Sequence, residues 1–157
     1  PREYVMRLSR AKALAGFAQG GGRLPALGSD TIVLLDGEIL GKPESRDEAE
    51  GMLQRLSGRT HQVYSGVALA LGPENVLDAL NITSVTFGDM PTHWIRLYCQ
   101  GDEPMDKAGA YAVQGIGGML VDEVRGSPNT VVGLPIHRLP ELFADHGLDF
   151  WRLLRTW

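Results

Sequence analysis

Two β-rich runs, Gln62 to Leu71 and Val76 to Phe87, flank the turn cluster Gly72-Pro73-Glu74-Asn75. Apolar, β-branched runs of this length around a Gly-Pro turn predict one long antiparallel hairpin. A hairpin is not stable alone in water, so one face must be covered by helices or extended by further strands. That requirement shapes the rest of the chain. Val5, Leu8, Ala11 and Ala15 recur at helical spacing and predict an amphipathic helix from Arg2 to Gln19, with Pro1 suited to its first turn and Gly20-Gly21-Gly22 ending it. Leu27 to Leu35 reads as a buried strand, meeting a second short strand across Asp36-Gly37, a strong hairpin signal.

Ser45 and Glu48 form a capping box ahead of the stripe Ala49, Met52, Leu53 and Leu56, which stops at Gly58. Asp89 and Pro91 begin a helix carrying Trp94, Ile95, Leu97 and Tyr98 and ending at Gly101. Trp94 and Tyr98, one turn apart, read as core, and Cys99 as a packing residue of the same helix. A Gly-rich stretch from Ala108 to Gly118 follows, then a strand from Met119 to Val124, a turn over Gly126 to Asn129, and a closing helix from Pro135. The economical architecture is one α/β domain over residues 1–157, a mixed sheet flanked by helices.

Composition narrows the function. The 157 residues are 43% hydrophobic and 22% charged, which excludes collagenous, coiled-coil and disordered classes. The net charge of −4, without blocks of like charge, argues against a nucleic-acid-binding face but leaves room for a small anion held by focused cations. The single cysteine excludes an intrachain disulfide and a multi-cysteine zinc site, and suits a reducing cytosol. The apolar runs fall far short of the roughly 18 residues that span a bilayer. His61, His93, His137 and His146 show no i, i+4 pair of the zinc-binding kind, and neither a nucleophile elbow nor a Gly-x-x-x-x-Gly-Lys-Ser/Thr loop is present.

Lysine is scarce. Twelve of the fifteen basic residues are arginine, and only Lys12, Lys42 and Lys107 are lysine. In such a chain a lysine can mark a place that wants a compact ammonium, such as beside phosphate oxygens, or can be an ordinary solvated side chain. Asp30 lies inside an apolar strand, where an unpaired carboxylate is expensive to bury, so it requires a partner. It is either a metal-binding or water-activating carboxylate or a hydrogen-bonded structural acid near Gly28. Gly115-Ile116-Gly117-Gly118 reads as a bulge or tight turn.

Several strings, in this order, resemble the Maf family of nucleoside triphosphate pyrophosphatases over nearly the whole chain. They are Tyr4 to Leu8 leading to Lys12-Ala13; Gly28-Ser29-Asp30-Thr31; Asp36-Gly37-Glu38; Gly41-Lys42-Pro43; Leu56 to His61; Thr86-Phe87; Asp106-Lys107-Ala108-Gly109-Ala110-Tyr111 with Gln114-Gly115; and Val131 to Pro135. The resemblance implies a fold of two lobes around a nucleotide cleft. It further implies hydrolysis of a nucleoside triphosphate to the monophosphate and pyrophosphate with a divalent cation, Mg²⁺ or Mn²⁺, in a cytosolic enzyme that is often a homodimer. By the family pattern Asp30 is the proton acceptor and a metal-side carboxylate, Lys12 and Lys42 contact phosphate, and Thr31 bears on specificity. Gln114 resembles the branch acting on dTTP and UTP, whereas the 7-methyl-GTP branch usually carries Glu there. An amide both donates and accepts toward a pyrimidine edge, while a carboxylate only accepts.

Departures accompany the matches. Ser29 stands where the family usually has Ala, and Gly126-Ser127-Pro128-Asn129-Thr130 departs from the usual Gly-Ser-Tyr-x-Asn. Family members begin with a strand and a phosphate-binding Ser-x-x-Arg loop, neither of which precedes Pro1, so the amino-terminal segment is expected to be lacking. The alternative function is a non-catalytic nucleotide-binding or regulatory fragment, in a family also linked to septum formation.

Overall fold

The computed structural model describes residues 1–145 and 147–155; His146 lies outside the described residues. Helix α1 (Arg2–Gln19) is followed by strands β1 (Ala26–Leu35) and β2 (Glu38–Leu40), helix α2 (Arg46–Leu56), and the hairpin β3 (Thr60–Gly72) and β4 (Asn75–Phe87). Helix α3 (Thr92–Cys99), strand β5 (Val121–Arg125) and helices α4 (Pro128–Val132), α5 (Leu139–Ala144) and α6 (Phe150–Leu154) complete it. The sheet order is β2-β1-β3-β4-β5. Every one of these seams is antiparallel, so the mixed sheet expected within the α/β class is an antiparallel one among the described residues. The physical reason lies in the connections. Two-residue turns join β1 to β2 and β3 to β4, and α2 returns the chain beside the end of β1, where Leu34 pairs with Gln62.

The long hairpin forms as its sequence dictates, in register from Thr60 opposite Thr86 to Gly72 opposite Asn75. At the β1–β2 turn both Asp36 (φ 52°) and Gly37 (φ 84°) are left-handed, which is why Asp-Gly suits it. Ser45 caps α2 by accepting from the Glu48 N–H at 3.1 Å, and Ala49, Met52, Leu53 and Leu56 enter the main core with Val33, Leu35, Val63, Val85 and Phe87.

The buried face of α1 is rotated from the expected one. Val5, Ser9 and Ala13 are buried, whereas Ala11 and Ala15 are exposed. Backbone approach decides this. A Cβ at Gly28 of β1 would lie 2.2 Å from the Ala13 nitrogen and 2.4 Å from the Ser9 carbonyl oxygen. One at Gly66 of β3 would lie 2.5 Å from Ser9 Oγ. The helix therefore rests directly on two glycines, with the small residues Ser9 and Ala13 at the points of closest approach. Ser9 satisfies its buried hydroxyl by donating to the Val5 carbonyl at 2.8 Å.

Further corrections concern α3 and the segments after it. The helix begins at Thr92 behind Pro91 without a side-chain cap, and it buries Ile95 and Cys99. Trp94, expected in the core, is 54% exposed, because the buried residues lie one position further along the helix; Tyr98 is partly buried against the core. Met119 and Leu120, expected to begin the strand, instead end a 3₁₀ helix over Ile116–Leu120, and the strand starts at Val121. The expected turn after Gly126 becomes α4, and the closing helix is split into a 3₁₀ turn, α5 and α6. Among the described residues no helix is long and apolar enough to cross a membrane.

Candidate active site

Strand β1 has β3 along one side, but β2 pairs with it only through Val33, Leu34 and Leu35. From Ala26 to Ile32 its outer edge has no strand neighbour among the described residues, and here a cleft of about 430 Å³ opens. Its walls come from Tyr4, Leu8 and Lys12 of α1, Ser29 to Val33 of β1, the end of β2 through Lys42, the segment Asp106 to Ala108, and Val131 to Gly133. All three lysines of the chain line this one cleft, beside Asp30 and Asp106. On a chain of net charge −4 that is a local concentration of cations suited to an anion.

Strand alternation puts Asp30 on the same face as Gly28, the face on which α1 rests. Lys12, next to the buried Ala13, reaches it there: Lys12 Nζ donates to Asp30 Oδ1 at 2.7 Å. Asp30 thus has the partner its position demanded. Its side chain is 15% exposed and that of Lys12 56%, so the carboxylate is held while the ammonium can still turn toward a ligand. Across the cleft Lys107 Nζ donates to Asp106 Oδ1 at 2.6 Å. That hydrogen bond, reinforced by the charges of Lys107 and Lys42, holds the Asp106 carboxyl below its usual range.

Ser29 and Thr31 project to the other face of β1. Ser29 Oγ lies 2.7 Å from the Gly66 carbonyl oxygen and 2.6 Å from that of Gly133. Thr31 Oγ1 is 2.6 Å from Ser65 Oγ, which in turn donates to the Thr130 carbonyl at 2.6 Å. Asn81 Nδ2 donates to Thr130 Oγ1 at 2.6 Å. This chain of hydroxyls pins the end of α4 to β1, β3 and β4, and so fixes the Val131–Gly133 wall. The Ser29 departure adds a tether to that wall.

Behind the cleft floor, His61 is 2% exposed, with Nε2 2.8 Å from the Tyr111 hydroxyl. Burial pushes its pKa down to about 4, so the ring is neutral at pH 7, and the same cause raises that of Tyr111. His61 Nδ1 has no hydrogen-bond partner among the described residues.

Of the residues singled out from sequence, the structure brings Lys12, Asp30, Thr31 and Lys42 together in the cleft. Gln114 is not among them: it is exposed on the turn before the Ile116–Leu120 helix and does not line the cleft. Asp106 and Lys107 also line the cleft; the sequence signals for them are their place in the Asp106–Tyr111 string and the scarcity of lysine. No group of three or more His, Cys, Asp or Glu side chains suited to a metal ion occurs among the described residues.

Residues 1–146 match the sequence pattern of the family described as Maf-like protein. The chain is 49% identical over 144 residues to a dTTP/UTP pyrophosphatase of Escherichia coli (strain K12), an alignment covering 92% of this chain and 73% of that protein. A protein of Shigella sonnei with the same name is 49% identical over the same shares. A nucleoside triphosphate pyrophosphatase of Shigella flexneri is 48% identical, again over 92% of this chain and 73% of its own length. Family pattern and close relatives agree over nearly the whole chain, which belongs to the Maf family.

Proposed function

We propose that this protein hydrolyses dTTP and UTP to the monophosphate and pyrophosphate, removing unwanted nucleotides from the pool. The observation that carries the proposal is the Lys12–Asp30 pair inside a cleft that also holds Lys42. Attack of water at the α-phosphorus forms a new P–O bond, breaks the bridging bond to the β-phosphate and releases pyrophosphate. Asp30 takes the proton of the attacking water as the P–O bond forms. Lys12 and Lys42 neutralise the phosphate oxygens on which negative charge builds. The Lys12–Asp30 pair opens at little cost, because its lysine side is exposed to water.

Asp30 spends Oδ1 on Lys12 and keeps a second hard oxygen. One carboxylate together with substrate phosphates is the donor set that Mg²⁺ takes, so the residues fit a Mg²⁺ or Mn²⁺ arriving with the triphosphate rather than a cage built by protein alone. Such an ion supplies additional charge neutralisation on the polyphosphate when bound. The role of Gln114 toward the base rests on the family resemblance. The cytosol as its location and a homodimer as its working form belong to the same proposal.

The Asp30 constellation and the enzymatic names of the relatives support this reading over a non-catalytic, regulatory one. The test is pyrophosphate release from dTTP, UTP, CTP, GTP and 7-methyl-GTP with Mg²⁺ or Mn²⁺, repeated with EDTA. Release from dTTP and UTP that EDTA abolishes is expected. Silence across the panel overturns the reading, and release that survives EDTA removes the metal from it.

A further inference from the structure

Five charged side chains line the cleft, and the proposed hydrolysis employs three of them: Lys12, Asp30 and Lys42. Asp106 and Lys107 remain. Their segment is built into the site. The Gly109 N–H donates to the Gly41 carbonyl at 3.0 Å, stitching the residues after Lys107 to the residue before Lys42. Gly109 is left-handed, with φ 70°, and packs on Val33, where a Cβ would fall 3.0 Å from a Val33 methyl group. Lys107 and Lys42 are therefore held as neighbours on two tied segments, three positions along β1 from Asp30. The Lys107 side chain is 35% exposed, against 56% for Lys12, and its ammonium points to a carboxylate that is itself 68% exposed. Asp106 also lies within the field of Lys42. An exposed carboxylate paired with Lys107, on the cleft wall that Lys42 also lines, occupies a position that an anionic oxygen of a ligand would take.

We propose that Lys107 is a third polyphosphate ligand, acting with Lys42 on the departing pyrophosphate, and that Asp106 is the counter-ion which the polyphosphate displaces. The proposal rests on the pyrophosphatase reading of the same cleft. Its chemistry is that of exchange: a solvent-exposed Lys–Asp pair contributes little, whereas pyrophosphate offers several charged oxygens at once and bonds between charged partners are the stronger kind. Lys12 and Asp30 act at the α-phosphate, leaving the pair Lys42 and Lys107 for the two phosphates beyond it.

Calorimetric titration of inorganic pyrophosphate, and separately of UMP, into the full chain tests this, alongside UTP turnover by the same preparations. Lys107→Ala is expected to weaken pyrophosphate binding about tenfold, the worth of one charged hydrogen bond, and to leave UMP binding unchanged. Lys107→Arg is expected to restore most of the loss. Asp106→Asn is expected to tighten pyrophosphate binding, since the competing carboxylate is gone. Unaltered pyrophosphate binding by Lys107→Ala, or an equal loss for UMP, overturns the assignment of Lys107. Weaker binding by Asp106→Asn overturns the counter-ion. The two readings fail separately. Wild-type protein that binds pyrophosphate through Lys107 yet turns over no nucleotide sinks the hydrolysis and keeps the anion site. Turnover by the wild type with pyrophosphate binding indifferent to Lys107 does the reverse.

Discussion

Lys12 Nζ and Asp30 Oδ1 meet at 2.7 Å across the contact between the first helix and the first strand. Each side chain comes from a regular element, so the distance is set by how closely helix and strand backbones approach. Asp30→Asn keeps the shape and one hydrogen-bonding oxygen but removes the carboxylate proposed as the base. Release of pyrophosphate from dTTP should fall at least about a hundredfold. The thermal midpoint should barely move, since a pair with one exposed member is worth at most about 1 kcal/mol. Activity close to that of the wild type would show that another group takes the proton.

Gly28→Ala tests the seating of that helix. The added methyl would sit 2.2 Å from the Ala13 nitrogen, and the atoms it meets are backbone, which cannot swing aside. The helix must lift, at a cost of about 1–3 kcal/mol or more, as for other overpacked contacts. Lys12 is then drawn away from Asp30. Both the melting temperature and dTTP turnover should drop, although neither reacting group has been altered. A variant that melts and turns over like the wild type would mean that the close approach is not needed.

What could be read in the sequence was what local chemistry controls. The Asp36-Gly37 turn, the Ser45 cap and the long hairpin each depend on the backbone preferences of adjacent residues. Asp30 and the lysines stood out because a carboxylate in an apolar strand needs a partner and because lysine is rare in this chain. The buried face of α1 was not legible, because Gly28 and Gly66, which select Ser9 and Ala13, lie far away in sequence. The 3₁₀ helix at Ile116 was hidden for a similar reason. Glu103 accepts from the Ile116 and Gly117 N–H groups at 2.9 and 2.8 Å, and no local pattern announces a carboxylate thirteen residues upstream. Trp94 lies outside the core that its hydrophobicity predicts, because hydrophobicity alone does not say which side of a short helix finds cover.

Gln114→Glu separates resemblance from geometry. The amide is exposed and outside the cleft lining, whereas the proposed function assigns it a role toward the base. A carboxylate there can only accept hydrogen bonds, which favours the donors of guanine over the mixed edge of a pyrimidine. The ratio of dTTP to GTP turnover should therefore fall. If that ratio is unchanged, Gln114 has no part in base selection, and the groups that line the cleft must supply it.

His61 should make the protein sensitive to mild acid. Its ring is enclosed, with Phe87 and Tyr111 edge-on at 5.0 and 5.5 Å between centroids, and burial depresses its pKa from 6.5 to about 4. The folded protein keeps the ring neutral down to about pH 4, while the unfolded chain binds a proton near pH 6.5. Between those values the unfolded state holds more protons, so stability declines as pH falls through the window and is fully retained above it. The shift corresponds to a loss on the order of 3 kcal/mol. Urea midpoints at pH 7.5 and pH 4.5 give the measurement, with His61→Gln as the reference that cannot titrate. Carboxylates contribute to the acid loss in both proteins, so the difference between their losses isolates the histidine. Wild-type protein should lose distinctly more than the variant; equal losses would mean that His61 takes up its proton in the folded state as readily as in water.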